Sequence, residues 1–268
     1  MKLNNPFAHR ADTLPAAAST EPAPACEFVP RRLVCRPSHR LAPPQPGELM
    51  LWRFRSEWQG LSRDDAYARL SKAELMRVRS FPNRALSKRF AIGRAVLRGI
   101  LSAITGVAPT GIELNDDAHG QPVLAAAPGA QAQPVEIAVT YAGVWILVGL
   151  STARVGLAAH LPPVLKREPG PPTRTLASVI RVPARAPDAS VQARHASLVN
   201  AAGPTTLDID VHTLARNEPA FVIDVPPAER WQLIDLPMPG AIRAAAAVAH
   251  PVARVHAFGW LGGGGIDG

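Results

Sequence analysis

With 268 residues, 47% of them hydrophobic and 19% charged, the chain can build a real apolar core in one large domain or two small ones. The formal net charge of +8 is concentrated in residues 51–100, which hold twelve Lys or Arg against four acidic residues. Only 5% of the residues are aromatic, and no nucleic-acid-binding motif accompanies the basic block, so a nucleic-acid partner is not expected.

Residues 1–47 are rich in Pro, Ala, Ser and Arg without apolar periodicity. Such a segment cannot bury enough surface to offset its ordering entropy and is expected to be disordered. It has no apolar run of signal-peptide length, and its two cysteines, Cys26 and Cys35, lack a second ligand pair, which fits a reducing cytoplasm. The run Leu49 to Phe54 suits a first strand. Ser71-Lys-Ala-Glu74 is a capping-box pattern, in which each end residue satisfies an orphan amide of the other, so a helix starts there. After Pro82 a longer helix is expected from about Ala85 to Thr105. Phe90, Leu97, Leu101 and Ile104 form its apolar stripe, Gly106 its C-terminal cap, and Arg89, Arg94 and Arg98 lie on its other faces.

A short strand at Ile112 to Leu114 and a turn at Asp116 to Gly120 follow, then two strands within Val135 to Leu150 around Ala142-Gly143, and another at Val155 to Ala159. The uncharged stretch 137–153 is marginal for a bilayer span and is interrupted by Thr140, Tyr141, Gly143 and Gly149, so no membrane partner is expected. Lys166 to Pro187 reads as a linker. Beyond it come a helix near Val191 to Ala201 and strands near Leu207 to Val211, Ala220 to Val225, Trp231 to Leu236, Ala244 to Ala249 and Ala253 to Phe258. Gly262 to Gly265 lacks the Lys and Ser/Thr of a phosphate loop and reads as a tail. The expected organisation is a disordered segment 1–47, an α/β lobe 48–165, a linker 166–187, a second α/β lobe 188–260 and a tail 261–268.

From Leu70 onward the order of segments carries a resemblance. Leu70-Ser71-Lys-Ala-Glu74, Arg77-Val-Arg-Ser-Phe81, Lys88-Arg89-Phe90-Ala-Ile-Gly-Arg94-Ala-Val-Leu97-Arg98, Gly106 and Gly120-Gln121-Pro122 together resemble the Sfp-type 4′-phosphopantetheinyl transferases. The resemblance implies an α/β (α+β) fold of two pseudo-symmetric lobes with coenzyme A between them. It further implies that Arg77 and Arg89 hold the 3′-phosphate and that Gly120, Gln121 and Pro122 lie against the adenine. Guanidinium groups suit that task, since they make bidentate charge-assisted bonds to phosphate oxygens.

Elsewhere the sequence departs from the family pattern. Where the family has Asn-Leu-Ser-His-Ser-Gly, this chain has Ala138-Val139-Thr140-Tyr141-Ala142-Gly143, leaving Thr140 and Tyr141 as the groups able to meet the coenzyme phosphates. Where it has Gly-Val-Asp-Ile-Glu, whose carboxylates bind Mg²⁺, this chain has Gly156-Leu157-Ala158-Ala159-His160. The third motif aligns with the helix around Ala196 and Asn200, which stand for a metal-site Glu and the catalytic Lys. No catalytic residue is intact, no metal site is expected, and no cofactor is certain. The resemblance therefore implies a transferase-like protein, impaired or inactive, that binds coenzyme A and/or an acyl or peptidyl carrier protein or a synthase. The alternative is an active transferase with a rebuilt site, using Asp116, Asp117 or His160 and with Tyr141 or His195 as base.

Overall fold

The computed structural model describes residues 26–33, 40–57, 61–125, 135–162, 188–203, 206, 209–225, 229–249 and 251–261. The expected linker 166–187, nearly all of the tail and residues 1–25 lie outside them. The fold is mixed α and β, and its layers follow from how each element divides its apolar residues.

Helix α3 (Arg84–Thr105) is buried along almost its whole middle, from Phe90 to Leu101. Ile92, Val96, Leu97, Ile100 and Leu101 pack on one face of a five-stranded sheet, against Trp52, Phe54, Ile146 and Val148. Its opposite side, Phe90, Ala91 and Ala95, packs on helices α1 (Arg63–Ala68) and α2 (Lys72–Ser80) through Ala66 and Val78, and on Leu70 in the turn between them. The expected single stripe therefore divides: Phe90 belongs to one core and Leu97 and Leu101 to another, which is what a helix covered on two sides requires. Asn83 caps the N-terminus through Leu86 N, and Gly106, at φ 76°, ends the helix in the left-handed conformation that glycine adopts without a Cβ clash.

The five-stranded sheet has the order β1 (Glu27–Arg31), β11 (Arg254–Phe258), β2 (Glu48–Arg55), β6 (Trp145–Ser151), β5 (Glu136–Ala142). Its second face, with Leu49, Leu51, Leu147 and Val255, packs on a four-stranded sheet through Leu157, Ile234, Leu236, Ala244 and Ala246. That sheet has the order β7 (Val155–His160), β10 (Arg243–Val248), β9 (Glu229–Leu236), β8 (Ala220–Val225). Helix α4 (Ala189–Ala202) covers its outer face through Val191 and Leu198, which meet Phe221, Trp231 and Leu233. Helices thus lie outside two facing sheets. A small hairpin, β3 (Leu114–Asp116) with β4 (Pro122–Leu124), stands beside β5.

Three expectations change. Glu27 to Arg31 is a strand within the segment expected to be disordered: it pairs in parallel with β11, and Arg254 Nε donates to Glu27 Oε2 at 2.8 Å. An existing sheet edge orders a stretch whose own composition could not. The sheets also do not divide where the chain was expected to divide, since β11 joins β2 while β7 joins β10. Finally, residues 209–211 are not a strand: the Asp210 carboxylate accepts from His212 N at 3.0 Å and starts the short helix α5 (Val211–Leu214).

Candidate functional site

The capping box sets the position of α2. Glu74 N donates to Ser71 Oγ at 3.2 Å, and Ser71 N donates to Glu74 Oε2 at 2.8 Å. The same carboxylate oxygen accepts from Arg98 Nε at 2.8 Å, and Arg98 Nη1 donates to the carbonyls of Pro109 and Ile112 at 2.8 and 2.6 Å. Arg98 is fully buried. It ties α2, α3 and the approach to β3 together and is not a solvated helix-face cation.

One turn nearer the N-terminus of α3 a different group forms. Arg77 of α2 and the buried Arg94 of α3 both pair with the Asp116 carboxylate at the end of β3, one on each oxygen. Both guanidinium groups stand over the Phe90 ring, 4.9 and 5.3 Å from its centroid. Arg89 lies 5.2 Å from the centroid of Tyr141 and donates through Nη1 to Gly143 O at 2.9 Å. Tyr141 reaches α3 because position 93 is glycine: a Cβ there would lie 3.0 Å from the Tyr141 hydroxyl. Burial pushes the Tyr141 phenol up from its ordinary value. Arg94, Arg89 and Arg77 pull it down, and Asp116 adds a smaller upward push. The hydroxyl therefore sits among three cations and one carboxylate, an excess of two positive charges.

The turn expected at the adenine is built by Asp117. Its carboxylate accepts from the amides of His119 and Gln121, both at 2.8 Å, and Gly120 takes φ 76°. A Cβ on Gly120 would lie 3.3 Å from Arg77 Nη2, so this turn flanks the arginine cluster. Gln121 Oε1 accepts from Val139 N at 3.0 Å and fixes the hairpin to β5. Gln121 and Pro122 also line a cleft of about 1180 Å³ together with Asp117, Ala138, Gly156 and Asn200. Arg77, Arg89 and Tyr141 do not line it. Thr140 is half-buried on β5 and, by the alternation of a strand, faces away from Tyr141. The structure thus brings together Arg77, Arg89, Gly120 and Tyr141, and leaves Thr140 apart. Sequence reading missed Arg94 and Asp116 as members. The signal was Gly93-Arg94-Ala95, a cation inside an apolar helix run, which demands an acid from elsewhere.

The positions at which the resemblance would place the metal site lie on β7 and α4. Gly156, Ala158 and His160 share the β7 face that meets α4, where a Cβ on Gly156 would lie 2.6 Å from Ala201 N and 2.8 Å from Ala201 Cβ. Ala158 is buried, and Asn200 Nδ2 donates to Leu157 O at 2.9 Å. Mg²⁺ needs several hard oxygen donors in near-octahedral geometry. Ala158, Ala196 and the His160 imidazole do not supply them, so these residues do not fit the ion. Among the described residues no three His, Cys, Asp or Glu side chains group as metal ligands. Arg194 on α4 is fully engaged, donating to Asp235 (2.8 and 2.5 Å) and to the carbonyls of Leu214, Arg216 and Glu218. No described helix is long and apolar enough to cross a membrane.

No family model matches the chain. A stretch of 77 residues, 29% of the chain, is 34% identical to a protein of Nostoc sp.. That relative is the 4′-phosphopantetheinyl transferase HetI. The stretch covers 32% of HetI, so the likeness spans about a third of that protein's length.

Proposed function

We propose that the chain is a 4′-phosphopantetheinyl transferase-like protein of the cytoplasm that binds coenzyme A through its phosphates and does not carry out metal-assisted transfer. One observation carries this: Arg77 and Arg94 share the single Asp116 carboxylate and Arg89 stands over the Tyr141 ring, beside the Gly120-Gln121-Pro122 turn. An excess of two positive charges at a partly open surface suits a phosphate monoester dianion. The partial likeness to HetI supports the family direction. In this proposal the two helix-on-sheet layers are the family's two lobes, and the partners are an acyl or peptidyl carrier protein or a synthase.

Phosphoryl transfer needs its developing charge neutralised and the attacking serine deprotonated. Ala158, His160, Ala196 and Asn200 provide neither an oxyanion-binding cation site nor a charged base. Of the side chains considered for a rebuilt site, Asp116 is held by two arginines and Asp117 by its own turn. Calorimetry should detect coenzyme A binding without added metal, about tenfold weaker for Arg77→Ala if a charge-assisted pair is lost. With Mg²⁺, coenzyme A and an apo carrier protein, mass spectrometry should find no phosphopantetheine added. Addition by the unaltered protein would overturn the inactive assignment, and equal binding by Arg77→Ala would remove the phosphate role of Arg77.

A further inference from the structure

We infer that Asp116 is a built-in anion occupying the phosphate position, and that an incoming phosphate binds by drawing Arg77, not Arg94, away from it. This rests on the proposed coenzyme A site and adds to it a competitor within the chain itself. The two arginines share one carboxylate but are held differently: the Arg94 side chain is 5% exposed and that of Arg77 41% exposed. Releasing Arg94 would leave a buried guanidinium without its counter-charge, which is strongly unfavourable. Arg77 can exchange Asp116 for another anion while staying solvated, and its neighbours allow this. Gly120 leaves the space beside Arg77 Nη2 free of a side chain, and the Phe90 ring, 4.9 Å from the guanidinium, is its other neighbour.

Asp116 is itself 34% exposed, so the carboxylate left behind keeps Arg94 and regains water on its other oxygen. The consequence is a site whose cations are held in place before ligand arrives, at the expense of affinity, because every phosphate must compete with an attached carboxylate. It also selects by charge: a dianion outcompetes the monovalent Asp116, whereas a monoanion gains little.

The probes are adenosine 3′,5′-bisphosphate, inorganic phosphate and coenzyme A, titrated into the wild type and Asp116→Asn. The amide keeps an acceptor for Arg94 but removes the competing charge, so Asp116→Asn should bind the bisphosphate about tenfold more tightly, the worth of one charge-assisted bond. Inorganic phosphate should show the same direction of change if the site takes phosphate as such, and none if the nucleoside is required. Side-chain nitrogen NMR of the wild type gives a second test that needs no variant to fold: the Arg77 Nε signal should shift on titration while the Arg94 Nε signal stays. Both signals shifting, or neither, would overturn the exchange. Coenzyme A binding that weakens in Arg77→Ala but is equal in wild type and Asp116→Asn would remove the competitor and leave the proposed function standing. Absence of coenzyme A binding by both proteins would remove the function itself and the inference with it.

Discussion

The α3 side and the α4 side of the molecule use the same structural device and differ in what surrounds it. Each helix lies on a sheet and buries one arginine that binds an acid and several carbonyls: Arg98 with Glu74, Pro109 and Ile112, and Arg194 with Asp235, Leu214, Arg216 and Glu218. On the α3 side, further arginines and a tyrosine gather where helix, hairpin and strand meet. On the α4 side, small residues fill the same kind of junction: Gly156 and Ala158 of β7 and Ala245 and Ala247 of β10 let the helix backbone approach closely. A layer can therefore be held by its buried arginine and close packing whether or not the surrounding positions carry charge.

Removing the arginines should produce the largest effects. Arg98→Met leaves Glu74 buried and unpaired, and should cost about 3–5 kcal/mol in urea unfolding. Arg194→Met should cost less, because Asp235 is 34% exposed against 9% for Glu74 and can regain water. The reverse order would break the equivalence drawn between the two sides.

Next in size come the two glycines at the helix contacts. Gly156→Ala places a Cβ against the α4 backbone, which cannot swing aside, and should cost about 2–3 kcal/mol. Gly93→Ala presses on the end of the Tyr141 side chain and meets Ile146 Cγ2 only at an ordinary 3.6 Å, so thermal melts should show about 1 kcal/mol or less, with the tyrosine displaced. Similar losses at both sites would mean that α3 is packed as tightly as α4.

The smallest effect concerns Tyr141 and appears only in alkali. Its folded value is raised, chiefly by burial, so the neutral phenol favours the folded state. That contribution is fully present below the unfolded value near pH 10 and is lost as pH rises through the folded one. Melts of the wild type and Tyr141→Phe should run parallel from about pH 7 to 10 and separate above it, the wild type falling faster. A gap that stays constant above about pH 10 would place the hydroxyl in an open setting like that of a surface side chain.

Local signals in the sequence carried far. The capping box at Ser71 and Glu74, the glycine stop at Gly106 and the strand expected at Ala220 to Val225 all appear in place, because each depends on residues close in the chain. Strand β1 was not legible, since Glu27 to Arg31 becomes a strand only through β11, and no local pattern announces a partner so distant. The site followed the same rule. Arg77 and Arg89 were visible through a motif, whereas the role of Asp116 depends on a hairpin folding back to α2 and α3, a coincidence of three elements that spacing alone does not encode.

The position of β11 has a consequence for how the chain reaches this state. Its residues 254–258 sit between β1 and β2, and the Arg254–Glu27 contact joins positions 227 residues apart. During synthesis β2 is made early but one of its edges stays open until β11 emerges, by which time β5 to β10 have already been made. Contacts of such long sequence separation form slowly, and an open strand edge invites pairing with other chains meanwhile. Closure of this sheet therefore waits for residues 254–258, and the nascent chain must keep the β2 edge from aggregating until they emerge.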